Sequence, residues 1–199
     1  MYQRNEKRQS GRKVASAPAA AVCWQGVPEV KKIAVVVDDI YEDLELWYPR
    51  LRLEEEGWKV VVAGPAAGTT YAGKHGYPCR AEAAFTELRS ADFDGLLVPG
   101  GFAPDRIRRD AHVLQLCRDM HASGKLVAFI CHAGWVPISA GILRGRKATS
   151  TVGIRDDMVN AGVTWVDAPL VVDGNLVSSR TPADLPVFAR GMVDWLRAG

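Results

Sequence analysis

No stretch of this chain approaches the ~18 consecutive apolar residues of a membrane span, so the sequence offers no membrane-crossing helix. It is also poor in cysteine. The four present (Cys23, Cys79, Cys117, Cys131) lack the paired spacing of a metal site, and in a chain of this size they do not suggest a disulfide framework. A reducing cytoplasm is the compartment expected. Excess charge is missing as well. Seven of the 25 Lys/Arg fall in residues 1–32 against two Glu, which leaves 18 Lys/Arg against 21 Asp/Glu over residues 33–199. The body of the chain therefore has no basic face for nucleic acid. Histidine is scarce too: His75, His112, His121 and His132 are all there are, and none follows His132.

What is present is enough for one globular domain, with 199 residues of which 48% are hydrophobic. Residues 1–30 are basic and then alanine-rich. Ser16 and Pro18 interrupt the apolar part, and Val22 stands where a lipoprotein cleavage site wants a small residue. A solvated tail is expected there rather than an export signal. From residue 31 to 199, short Val/Ile/Leu runs alternate with amphipathic segments. "KIAVVVDD", "WKVVVAG", "FDGLLVPGG" and "KLVAFI" read as buried strands. "EDLELWYPRLRLEEEG" reads as a helix, its apolar positions Leu44, Trp47 and Leu51 recurring near helical spacing. "DAHVLQLCRDMHASG", "WVPISAGIL" and "IRDDMVNAG" are further helices. Residues 69–82 form a glycine-marked hairpin, "VTWVD", "LVVDG" and "NLVSS" are late strands, and the closing helix takes Thr181 as its N-cap. Apolar strands separated by helices imply a three-layer α/β domain with a largely parallel sheet.

In such sheets ligands bind beyond the carboxyl ends of the strands, where strand order reverses. Three unusual stretches fall there: Asp38 to Glu42, Pro99 to Phe102, and Cys131 to Gly134. A cysteine at a strand-to-helix elbow meets free N–H groups that favour thiolate, so Cys131 is the candidate nucleophile. Glu42 is expected to turn toward the sulfur as a proton-carrying acid, and Asp43 to cap the helix. The turn at Gly100 and Gly101 can bring N–H groups to an oxyanion. His132 adjoins Cys131, but neighbouring residues usually point apart, so spacing alone does not place its ring against the sulfur. The other histidines, with Cys79 and Cys117, read as surface or structural residues. The acidic loop would repel phosphate, which argues against a nucleotide module. Cys131, His132 and Glu42 could donate to zinc but lack a fourth ligand. No metal and no cofactor is expected.

The stretches "YEDLELWYPRLRLEEEGWKVVVAG", "GKHGYP", "FDGLLVPGGFAPDRIR", "GKLVAFICHAGW", "ISAGILRGRKATS", "GIRDDMVNAGVTWVD" and "VVVDGNLVSSRTPADLP" together resemble the PfpI intracellular peptidases, within the parkinsonism-associated deglycase superfamily. The resemblance implies a flavodoxin-like sandwich close to that of class I glutamine amidotransferases, assembled into oligomers built from dimers. Those amidotransferases themselves, like cysteine-type α/β-hydrolases, need a histidine well downstream of the nucleophile and are excluded. By motif, the resemblance gives Cys131 the nucleophile position, Glu42 that of its protonated partner, and His132 that of the adjacent imidazole. It puts Gly100, Gly101 and Ala133 on the oxyanion and substrate side. Asp105 matches an acid that reaches a neighbouring subunit's histidine, although the family often has Glu there. Many members read Cys-His-Gly-Pro where this chain has Cys131-His132-Ala133-Gly134-Trp135. The activities implied are consumption of reactive carbonyls without glutathione, removal of glycation adducts, and peptide hydrolysis. Carbonyl chemistry is the expected one, since a thiolate adds readily to an aldehyde. A Cys131–His132–Asp105 peptidase triad across a subunit boundary is the second reading. A non-catalytic redox sensor or chaperone using Cys131 is the third.

Overall fold

The computed structural model describes residues 30–199, so the tail expected over residues 1–30, with Cys23, falls outside them except for Val30. The chain runs β1 (Lys32–Val36), α1 (Asp43–Glu55), β2 (Lys59–Gly64), β3 (Thr70–Ala72), β4 (Pro78–Arg80), β5 (Ala83–Ala84), β6 (Gly95–Val98), α2 (Ala103–Ile107), α3 (Ala111–Ala122), β7 (Leu126–Ile130), α4 (Trp135–Ala140), β8 (Lys147–Ala148), α5 (Arg155–Asn160), β9 (Thr164–Trp165), β10 (Val171–Asp173), β11 (Leu176–Ser179) and α6 (Leu185–Ala198). Seven strands form the main sheet in the order β10-β11-β7-β6-β1-β2-β5. All its pairings are parallel except β10 with β11. With helices on both faces, the central strands have no solvent side. Ile33–Val36 of β1 and every residue of β7 are buried, which is why their sequences are continuous apolar runs rather than alternating ones.

The chain moves outward from β1 to β2 and returns to lay β6 on the other side of β1. That reversal puts the ligand crevice over the C-terminal ends of β1, β6 and β7, the strands that precede the three stretches singled out in the sequence.

The expected hairpin is present as β3 and β4, paired Tyr71 to Cys79. Four local expectations change. Of the late strands, β9 leaves the main sheet and pairs with β8. Thr181 makes no side-chain cap; a 3-10 turn at Pro182–Asp184 comes first, and the Asp184 carboxylate accepts from Arg180. Asp43 does not cap α1 either. Helix α1 also sits in a different phase from the expected one. Its buried face carries Asp43, Glu45, Leu46, Pro49 and Leu53, whereas Leu44 and Leu51 are each 58% exposed beside Tyr48 and Tyr77.

Candidate active site

Cys131 is the first residue after β7 and opens a 3-10 turn over Cys131–Gly134. Its φ is +62°, left-handed backbone that costs a non-glycine residue roughly 1–3 kcal/mol and persists only where the surroundings enforce it. The enforcement is visible. The Cys131 carbonyl accepts from Thr151 at 3.4 Å, and Gly134 packs so closely on Met158 that a Cβ would stand 2.9 Å from its sulfur. The twist at Cys131 brings two adjacent side chains to one side. His132 Nδ1 lies 3.2 Å from Cys131 Sγ, the contact that sequence spacing left open. Phe102 stacks on the imidazole with centroids 6.4 Å apart, and Trp135 flanks it at 5.4 Å. Trp135 is itself tied down by its Nε1 donating to Asp157 at 2.8 Å.

The carboxyl beside the sulfur belongs to Glu45, not Glu42. Glu45 projects from the buried face of α1 and is 0% exposed. Its Oε2 accepts from the Gly100 N–H at 2.8 Å, while Oε1 has no hydrogen-bond partner, and the carboxyl and Cys131 both pack closely on Gly100. Burial is the main cause that raises Glu45 to about 8, so it carries its proton at neutral pH. The same burial, reinforced by the Glu45 carboxylate, pushes Cys131 up to about 12, while the backbone N–H groups of His132 and Gly101 pull the other way. The expectation of a ready thiolate is therefore corrected. Desolvation outweighs the elbow's N–H groups, and Cys131 rests as a thiol. The two groups titrate as a coupled pair whose first proton leaves the carboxyl. Burial also lowers His132, and the Lys74 ammonium adds to this. The ring is thus mainly neutral at pH 7, and in the tautomer that carries its proton on Nε2 the Nδ1 atom can accept.

The glycine pair divides its work. The Gly100 N–H is occupied by Glu45, and a Cβ at Gly100 would stand 2.5 Å from that carboxyl and 2.8 Å from Cys131 Cβ. Gly101, at φ +80°, aims its N–H at the sulfur. Ala133 lies fully buried in the turn after the thiol.

Residues 31–194 match the DJ-1/PfpI family model. Over 166 residues the chain is 49% identical to the deglycase PH1704 of Pyrococcus horikoshii, covering 83% of this chain and 99% of that protein. It is 48% identical, with the same coverage, to the deglycase PfpI of Pyrococcus furiosus. YraA of Bacillus subtilis, whose name marks it as a candidate cysteine protease, is 40% identical over 84% of this chain and 99% of its own. Among solved structures, Drosophila melanogaster DJ-1beta superposes with a TM-score of 0.79 at 28% identity, covering 84% of this chain and 90% of that one. A two-domain protein from Anabaena variabilis, with DJ-1/ThiJ/PfpI-like and ferritin-like domains, gives 0.82 at 39% identity over 83% of this chain and 48% of its own. The chain belongs to the DJ-1/PfpI family.

Within this DJ-1/PfpI domain the remaining acids have other partners. Glu42 precedes α1 and faces the β3–β4 turn, where its carboxylate meets Lys74 Nζ at 3.5 Å and His75 Nε2 at 3.7 Å. Asp43 turns both oxygens onto that hairpin and accepts from the N–H groups of His75 and Tyr77 at 2.9 Å each. Glu42, Asp43 and His75 place ligand-type atoms within 4.8 Å of one another. Each Asp43 oxygen takes a backbone donor of the hairpin and Lys74 stands against Glu42, so the cluster acts as a hairpin clamp. Asp105, on α2, takes Arg109 at 2.5 Å within the chain. Cys79 and Cys117 are buried. Among the described residues no helix is long and apolar enough to cross a membrane. The residue that sequence reasoning missed is Glu45. Its one signal was a carboxylate lodged between two leucines of an apolar helix segment.

Proposed function

We propose that the protein is a cysteine-dependent enzyme that hydrates or removes reactive 2-oxoaldehydes, free or as glycation adducts, with Cys131 as nucleophile. The observation that carries this reading is the contact of a strained, half-buried thiol with a neutral imidazole at 3.2 Å, backed by the protonated Glu45. Nearly full-length relatives named deglycases support it. Cys131 Sγ adds to the aldehyde carbon as His132 Nδ1 takes the thiol proton, and the Gly101 N–H meets the developing oxyanion. His132 then gives the thiol proton to the adjacent carbonyl oxygen and, neutral again, moves the proton of the former aldehyde carbon to the neighbouring carbon, which leaves a 2-hydroxy thioester. Water cleaves this ester to a 2-hydroxy acid and the free thiol, so no external oxidant or reductant is consumed. Glu45 keeps its proton beside the sulfur, so the attacking atom faces no second negative charge.

The peptidase reading is favoured by the YraA relationship and requires Asp105 of a second subunit to reach His132. An apolar strip on the outside of α1 and the hairpin (Leu44, Tyr48, Leu51, Tyr77) is the kind of surface that a dimer would cover. Purified protein is assayed side by side on methylglyoxal and on a fluorogenic peptide, with Cys131→Ser and Asp105→Ala. The carbonyl reading expects methylglyoxal consumption to vanish in the first variant and to stay within a few fold of wild type in the second. Loss of both activities in an Asp105→Ala protein that light scattering shows to be assembled overturns that ranking.

A further inference from the structure

Lys74 stands at the turn between β3 and β4. Its N–H donates to the Tyr41 carbonyl at 2.7 Å, and Tyr41 bridges to both Gly73 and Gly101. The hairpin tip is therefore fastened to the same loops that build the oxyanion turn. The Lys74 ammonium meets Glu42 Oε2 at 3.5 Å, and the Glu42 N–H donates to the Gly100 carbonyl at 3.0 Å. After burial, the Lys74 ammonium is the further cause that lowers His132, and it slightly opposes the rise at Glu45. The nearby arginines are engaged elsewhere: Arg106 faces Asp38 and Asp39, and Arg109 holds Asp105. The Lys74 side chain remains 45% exposed. A long, half-solvated contact of this kind contributes little net energy. An incoming carboxylate can share the ammonium with Glu42 from its exposed side.

We propose that Lys74, held in place by Glu42, forms a carboxylate subsite on the loops that carry the Gly100–Gly101 turn, so that the site selects carbonyl compounds bearing a carboxylate and retains the 2-hydroxy acid that it makes. The identity of that acid rests on the carbonyl reading above; the charge of the subsite does not. Iodoacetate and iodoacetamide both alkylate sulfur with loss of iodide, and they differ only in presenting a carboxylate or an amide. Their rates at Cys131 are compared by mass spectrometry at low salt, in wild type and in the variants Lys74→Met, Lys74→Arg and Glu42→Gln. The iodoacetate-to-iodoacetamide ratio is expected to fall by about three- to ten-fold in Lys74→Met, to recover in Lys74→Arg and to rise in Glu42→Gln, with the differences shrinking in ~1 M salt. An unchanged ratio in Lys74→Met overturns the proposal, provided that Cys79 and Cys117 stay unlabelled as a check on folding. Lactate should also slow methylglyoxal consumption by wild type competitively, with a weaker effect on Lys74→Met, whereas propane-1,2-diol should not inhibit either. If the alkylation ratio shifts as expected but the protein consumes no methylglyoxal, the subsite stands and the carbonyl reading falls.

Discussion

Replacing Glu45 by Gln removes a buried ionisation while preserving shape, because the amide oxygen can accept from Gly100 as Oε2 does at 2.8 Å. In the unfolded chain this carboxyl titrates at its ordinary 4.5, and in the fold at about 8. Between those values the folded protein holds a proton that the unfolded chain has lost, so stability falls as pH rises, by ~1.36 kcal/mol per unit. Over the whole window the loss amounts to roughly 5 kcal/mol, an upper figure that hydration of the site reduces to about 2–5 kcal/mol. Gln carries no such penalty. Urea unfolding followed by tryptophan fluorescence at pH 5, 6, 7 and 8 is expected to give similar stabilities at pH 5 and a variant increasingly more stable than wild type toward pH 8. Oligomer dissociation would move both proteins together, and running the series at two concentrations separates that effect. Parallel pH profiles would show that Glu45 is not held protonated by burial, and the account of the thiol's environment would fall with it. Because Gln is neutral, as the protonated carboxyl is, the same variant should keep methylglyoxal turnover within about ten-fold of wild type.

Iodoacetamide should modify the partly exposed Cys131 and spare the buried Cys79 and Cys117; its rate should keep rising well above pH 8, because the Cys131 thiol is pushed up to about 12, and equal labelling of the three by mass spectrometry would contradict the assignment. Ile40 is a β-branched residue at φ +66°, pinned by Ala72 and Phe102 at 2.8 Å each, so Ile40→Gly should raise stability by about 1 kcal/mol through relief of strain, and a lower melting temperature would refute this. Asp43→Ala strips the acceptors from two N–H groups of the hairpin and should cost roughly 2–4 kcal/mol in urea unfolding, whereas Asp105→Ala, at a half-exposed pair with Arg109, should change stability by less than about 0.5 kcal/mol.

The sequence by itself determined the layers and the position of the crevice. Continuous apolar runs such as Leu126–Ile130 mark strands buried on both faces, and the ligand edge of a parallel sheet follows from strand direction alone, so Cys131 and the Gly100–Gly101 turn were legible. The tertiary structure decided which acid meets the sulfur. Helix α1 has apolar residues on two sides, Leu44, Trp47 and Leu51 on one and Leu46, Pro49 and Leu53 on the other. A periodic pattern with two apolar faces has no unique phase. Only packing against the sheet turned Glu45 inward and left Glu42 to the hairpin. Structure also decided that His132 touches Cys131, through a left-handed φ at a cysteine whose carbonyl accepts from the distant Thr151 and whose turn packs on Met158 at Gly134. The thiol's ionisation was likewise beyond local sequence. It follows from desolvation, which depends on how many atoms from distant segments surround the group, and here that outweighs the N–H groups of the elbow.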